Sequence, residues 1–181
     1  DYPFDALAGV GVAFKFILAL AIKNRLKTTD VFNQYVDIAT LGTIADVVPL
    51  LGENRVIVDK GLKILHNPKR IGIRAIMEVA GVLDKPLNAS TIAFSIAPRL
   101  NAAGRLGSAA TAVELLLTND ESRARELALL LDTENKERQQ TERQIFDEAL
   151  ELIAKDPNFE KKKVIVLAQE NWHQGVIGIV A

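Results

Sequence analysis

A chain of 181 residues, 49% hydrophobic and 25% charged, can bury a sizeable core and has the composition of an ordinary globular protein. Its 22 basic and 23 acidic side chains leave a formal net charge of −1, so no global basic field announces nucleic acid, although a local one stays open. The absence of cysteine excludes disulfide staples and thiolate metal sites and fits a reducing cytosol.

The stretch from Leu7 to about Leu26 predicts a largely buried helix, apolar on most faces, with Lys23, Arg25 and Lys27 at the C-terminal end where cations suit the dipole. Lys15 and two glycines keep it short of a membrane span, and no basic start precedes it as in a signal peptide. Next comes the apolar run Ala39–Leu50, which contains one carboxylate, Asp46. Burying an acid among Ile, Ala and Val is costly without a metal, a cation or hydrogen bonds, so Asp46 is expected to have a partner, and none lies close in sequence. Gly52-Glu53-Asn54-Arg55 opens a helical stretch through Leu65 that stops at Asn67-Pro68, and Ile73–Val79 forms a short helix ended by Gly81. Asn88 caps a helix from Thr91 that Pro98 should kink or break just before Arg99 and Asn101, and Val113–Leu117 is a further helical piece.

From Asp120 to about Lys155 there is no Gly or Pro, which predicts one long helix. Its apolar stripe appears at Leu127, Leu130 and Leu131 and again at Ile145, Ala149, Leu152 and Ile153. Between these, Asp132 to Gln144 holds no hydrophobic residue, which predicts roughly 20 Å of solvent-exposed rod joining two packed bodies; a helix edge with a weak stripe is the alternative. Asp156-Pro157-Asn158 breaks this helix, and the β-branched run Lys163–Ala168 reads as a buried strand. The loop Gln169–Gly175 then leads into a new apolar helix, an order that places the loop where α/β domains hold ligands. The chain starts at Asp1 without an initiator Met and stops inside the apolar run Gly175–Ala181, so flanking segments that carry chemistry are expected beyond both ends.

Between Lys85 and Val113 there is no acidic residue, while Lys85, Arg99, Arg105, Asn101 and Ser108 are present. Small residues on both sides of Arg105 would let a backbone or a phosphate approach. Composition does not choose between a structural arginine paired with a distant acid and an anion ligand. Gly9-Val10-Gly11 lacks the preceding strand and the third glycine of a dinucleotide fingerprint. Taken singly, His66 and His173 read as surface or capping histidines.

Several segments together carry a resemblance: Asp37–Leu50 with Glu53-Asn54-Arg55, then Ala97–Arg105, then Asn135 with Glu137-Arg138-Gln139, and last Trp172–Gly178. With the opening Tyr2-Pro3-Phe4 and Leu7–Lys15, they resemble, in order and nearly end to end, the RecJ-like single-strand-specific exonucleases of the DHH phosphoesterase superfamily. The resemblance implies an α/β fold class. Residues 1–119 would be the mainly helical C-terminal part of a DHH catalytic domain, 120–155 a connecting helix, and 156–181 the first strand, loop and helix of a DHH-associated domain.

It also implies an enzyme of the cytoplasm, in DNA repair and recombination, that removes nucleotides from the 5′-phosphorylated end of single-stranded DNA with Mn²⁺ or Mg²⁺ in a two-metal site. A helicase or single-strand-binding protein would be its partner, and no membrane is involved. Asp46 matches the catalytic metal ligand; Arg105, with Asn101 and Arg99, matches a phosphate-binding motif; Gln139 matches a position near the 5′-terminal phosphate; and His173 opens the domain that clamps the strand. Neither the aspartate-rich motif nor the Asp-His-His motif of the family occurs here, so most metal ligands lie outside this chain, which alone is expected to bind catalytic metal weakly and to leave DNA intact. Two alternatives stand beside this one. A different DHH enzyme, an oligoribonuclease or a cyclic-dinucleotide phosphodiesterase, would prefer short substrates. A non-catalytic nucleic-acid-binding or partner-binding scaffold would use Asp46 as a helix cap and pair Arg105 with an acid.

Overall fold

Alternation between apolar and polar residues at helical spacing shapes most of this chain. The computed structural model describes residues 2–180, and among them every regular element is helical. In chain order these are α1 (Gly9–Lys23), α2 (Thr28–Ala45), α3 (Gly52–Leu65), α4 (Ile71–Val79), α5 (Ala89–Thr91) continuing through a π-helical turn (Ile92–Ile96) into α6 (Ala97–Leu106), then α7 (Ala109–Leu117), α8 (Glu121–Ala154), a 3₁₀ turn (Phe159–Lys161) and α9 (Gln174–Val180).

Two cores hold them. The larger joins Leu41 and Ile44 of α2, Val58 and Leu65 of α3, Ile73, Ile76 and Met77 of α4, Ile92 and Ile96 of the π turn, Leu115 of α7, and Leu127 and Leu131 of α8. Each such side chain contributes about 1.5–3 kcal/mol of transfer free energy. The smaller gathers Phe14, Val36, Ala39 and Ile57, with Phe14 and Phe32 tilted at 5.2 Å between ring centroids.

Local sequence does not announce the α2 helix. Val31, Phe32, Tyr35, Val36, Ile38, Thr40 and Thr43 lower its intrinsic propensity, and packing against α1 and α3 overrides that. Its approach to α3 is close because Gly61 sits under Thr40: a Cβ there would lie 1.8 Å from Thr40 Oγ1. The Thr40 hydroxyl donates to the Ile57 carbonyl at 3.0 Å. Arg70 fastens α2 to the start of α4, its Nε donating to the buried Asp37 carboxylate at 2.9 Å.

Four expectations need correction. Only Gly11, Phe14 and Ala21 of α1 are buried, whereas Val12, Phe16, Leu20 and Ile22 are exposed, because α2 covers one face of this helix and nothing in the described residues covers the other. Pro98 does not end its helix. The wider π turn just before it accommodates the ring and the missing N–H, so the chain stays helical from Ala89 to Leu106.

The polar middle of α8 is not an exposed rod. Asp132, Asn135 and Arg138, three residues apart, are buried together. The α6 face that meets α8 carries the small, fully buried Ala102 and Ala103, which allow close approach, and Arg99, which supplies a counter-charge. Finally, Lys163–Ala168 forms no strand: Val164, Ile165 and Val166 are exposed, the last at 85%, and no ladder partner exists among the described residues. Without a neighbouring strand to take its N–H and C=O groups, a β-branched run has no sheet to join. The described residues are therefore mainly helical rather than α/β.

Candidate functional site

Asp46 is the residue that closes α2, with φ −82° and ψ −5° and its N–H donating to the Gly42 carbonyl at 3.0 Å. Its carboxylate is exposed, which corrects the expectation of a buried acid, and among the described residues it forms no ion pair or side-chain hydrogen bond. The last turn of α2 contains no basic residue. A carboxylate at the negative end of a helix is disfavoured by the dipole, so the position suits a cation. Val47 follows at φ 57° and is 84% exposed, an αL conformation that costs a β-branched residue on the order of 1–2 kcal/mol. The loop beyond is pinned by the buried Asn54, whose Nδ2 donates to the carbonyls of Pro49 at 3.0 Å and Ala6 at 2.6 Å. Thus the Glu53-Asn54-Arg55 motif fixes the backbone that leaves Asp46. As an open, hard oxygen donor Asp46 fits one ligand position of a divalent cation. Among the described residues no group of three or more His, Cys, Asp or Glu could hold a metal, so the other ligands would come from elsewhere.

Arg105 and His173 come together through Gly175. Arg105 Nη1 donates to the Gly175 carbonyl at 3.0 Å, and Gly175 N–H donates to His173 Nδ1 at 3.1 Å. Only glycine fits this joint, since a Cβ on residue 175 would meet the Arg105 carbonyl oxygen at 2.3 Å. Both Arg105 and His173 remain exposed. His173 also caps α9, its carbonyl accepting from the N–H groups of Val176 and Ile177, so the capping role expected of a lone histidine is present. Beside it, Trp172 Nε1 donates to Glu148 at 2.8 Å; the hydrogen bond from Gln144 and then that from Trp172 hold the Glu148 carboxyl below its ordinary range.

Asn101 is exposed on α6 without a side-chain hydrogen bond among the described residues. Gln139 lines a cleft of about 600 Å³ with Phe94, Pro98, Arg138, Glu142 and Arg143. Arg99 is not an open anion ligand. Its Nε donates to Asp132 Oδ1 at 2.8 Å and its Nη1 to the Ser95 carbonyl, while Lys136 reaches the other Asp132 oxygen at 2.8 Å. Asp46 shares no hydrogen bond with any of these groups.

Comparison with known proteins decides the relationship. No family model matches the chain. The single-stranded-DNA-specific exonuclease RecJ of Bacillus subtilis is 43% identical over 180 residues, covering 99% of this chain and 22% of that protein. Its counterpart from Escherichia coli is 38% identical over all of this chain and 33% of its own length. A crystal structure of RecJ in complex with Mn²⁺ from Thermus thermophilus superposes with a TM-score of 0.84 at 40% identity, over 97% of this chain and 25% of that one.

This chain is RecJ-like. It spans between about a fifth and a third of the length of these curated relatives.

The RecJ-like segment also contains groups that sequence reading missed. Asp132 is the acid that answers Arg99; burial pushes its carboxyl up, but the hydrogen bonds from Lys136 and Arg99 outweigh this and hold it below its ordinary range. Its signal was its place next to Leu131, on the continuing core stripe of α8. Glu134 is the second. One carboxylate oxygen packs under the Gly107 turn and the other is buried without a partner. Burial, and then the nearby Glu137, raise its pKa.

Because the folded pKa lies above the unfolded one, ionised Glu134 costs stability. The cost is absent below the unfolded pKa and complete above the folded one. Glu134→Gln is therefore expected to stabilise the fold at pH 7 and to change nothing near pH 3. Thermal melts of both proteins across that range test it, and a gain that persisted in acid would rule out the charge as its cause.

Proposed function

We propose that this RecJ-like chain forms part of a divalent-metal-dependent exonuclease that removes nucleotides 5′ to 3′ from a 5′-phosphorylated single strand of DNA, in repair and recombination. The observation that carries the reading is the end-to-end likeness to RecJ structures holding Mn²⁺ and Mg²⁺, at TM-scores of 0.84 and 0.86 and 39–40% identity. The exposed, unpaired Asp46 at the end of α2 supports it. Two bound divalent cations would lower the pKa of a water and neutralise charge on the phosphodiester oxygens. Asp46 contributes one carboxylate to them, and Arg105, Asn101 and Gln139 offer exposed polar groups to the strand and its terminal phosphate. His173 shapes the joint that presents Arg105.

In this reading residues 1–119 complete a DHH catalytic domain, 120–155 form the connecting helix, and 156–181 begin an α/β DHH-associated domain. The exposed Val164, Ile165 and Val166 are suited to take ladder partners from the rest of that domain. The enzyme is placed in the cytoplasm, where a helicase or single-strand-binding protein delivers the strand. No described helix is long and apolar enough to cross a membrane. The scaffold alternative required Asp46 to cap a helix and Arg105 to pair with an acid: Asp46 does close α2, whereas the partner of Arg105 is a carbonyl.

The full-length protein with Mn²⁺ is expected to release mononucleotides from a 5′-phosphorylated single strand and to spare blunt duplex, while this 181-residue chain alone releases none. Faster cleavage of dinucleotides than of long strands would replace the reading by the short-substrate DHH enzyme. Nucleotide release by the isolated chain would refute the incomplete metal site.

A further inference from the structure

Arg99 carries the structure beyond the roles assigned so far. Its sequence context suits a phosphate ligand, yet its guanidinium is largely buried and committed in two directions. One arm holds Asp132 on α8, and the other holds the carbonyl of Ser95 inside the π turn. A π turn directs its carbonyls less regularly than an α-helix, and this one lies just before Pro98, which supplies no N–H to the ladder. Pro98 leaves the Phe94 carbonyl without its i+4 donor, and the Ser95 carbonyl beside it accepts from the Arg99 side chain, whose other arm is anchored on another helix. Phe94, the neighbour of Ser95, is 80% exposed and forms one wall of the cleft whose opposite wall carries Gln139 and Arg143.

We propose that Arg99 is a positioning residue: bridging Ser95 and Asp132, it locks the π turn to α8 and so sets the distance between Phe94 and Gln139 across the cleft. This rests on the single-strand reading above, in which Gln139 faces the strand. The tie joins a partly buried guanidinium to a buried carboxylate, and rotating Arg99 away would leave one Asp132 oxygen without its partner, only the other being held by Lys136. Lys136 alone, on an exposed stem, cannot replace the arm that reaches Ser95.

The test uses the full-length protein, with Arg125→Ala as a surface control. Arg99→Gln is expected to raise KM for a 5′-phosphorylated single strand about tenfold while kcat changes less than twofold. Asp132→Asn should do the same, and the double variant, which removes both charges of the pair and so spares the fold, should be no worse than either single one. A phosphate ligand behaves differently. Its loss would flatten the dependence of log Kd on log salt by about 0.7 for a single strand, and freeing Arg99 through Asp132→Asn would not weaken binding.

An unchanged salt slope together with a raised KM in all three variants supports positioning. A flattened slope in Arg99→Gln, or an unaltered KM in the double variant, overturns it. If the wild-type protein itself failed to degrade single strands, the functional reading would fall instead, so the two failures are distinguishable.

Discussion

Asp46→Ala in the full-length protein is expected to abolish Mn²⁺-dependent nucleotide release while leaving the fold as stable as before or slightly more so. The loss follows from the proposed ligand role: removing even a supporting partner of a metal ligand costs about 10–100-fold, so removing a carboxylate ligand should cost at least about a hundredfold. Stability should move the other way. The carboxylate is exposed, makes no hydrogen bond among the described residues, and sits at the C-terminal end of α2 with no basic residue in the last turn. Its removal relieves an unfavourable dipole interaction of about 0.3–1 kcal/mol.

Opposite signs in rate and melting temperature are the signature of a group kept for function at some expense to stability. A rate assay paired with thermal unfolding decides the matter. If activity survives, the metal assignment is wrong; if melting temperature falls by several degrees along with activity, Asp46 is a structural residue.

Local punctuation made much of the fold legible. Gly52 and Asn67-Pro68 bound α3 where expected, and α4 stops before Gly81 as expected although it begins two residues early, at Ile71; Gly81 adopts φ 67°, the left-handed conformation a helix stop favours. Asp120 accepts from the Arg123 N–H at 2.9 Å and caps α8 at its expected start.

What was not legible depends on partners distant in sequence. Arg99 and Asp132 are 33 residues apart, and although Asp132 continues the buried stripe of α8, no local pattern announces that the small face of α6 will cover it. The environment of Asp46 differs from its sequence neighbourhood for a geometric reason: residues two apart on a helix point in different directions, so Ile44 is buried while Asp46 faces solvent. Apolar neighbours in sequence are not apolar surroundings. The run at 164–166 fails similarly, because a strand is defined by its ladder, and β-branched composition alone cannot supply one.

Gly72→Ala is expected to be among the most destabilising single-methyl additions in the molecule. Gly72 lies in α4 with an ordinary helical backbone, where alanine is intrinsically preferred by roughly 1 kcal/mol. Tertiary contact reverses that preference: an added Cβ would sit 1.7 Å from the Leu115 carbonyl oxygen and 2.6 Å from its carbonyl carbon. The obstacle is backbone, so no rotamer change relieves it, and α7 would have to retreat by more than about 1 Å from a close-packed core. Leu115, Ile73, Ile76 and Met77, all fully buried at this junction, would lose contact together. A loss of about 3 kcal/mol or more follows.

Gly104→Ala provides the counterpart, since Gly104 is also helical but has no atom within 4 Å of its added Cβ. That change should stabilise by up to about 1 kcal/mol. Denaturant unfolding of the two variants should therefore shift in opposite directions for the same chemical substitution. A Gly72→Ala protein as stable as the parent would mean that α4 and α7 do not meet through their backbones, and the core that joins both helices to α8 would need to be redrawn.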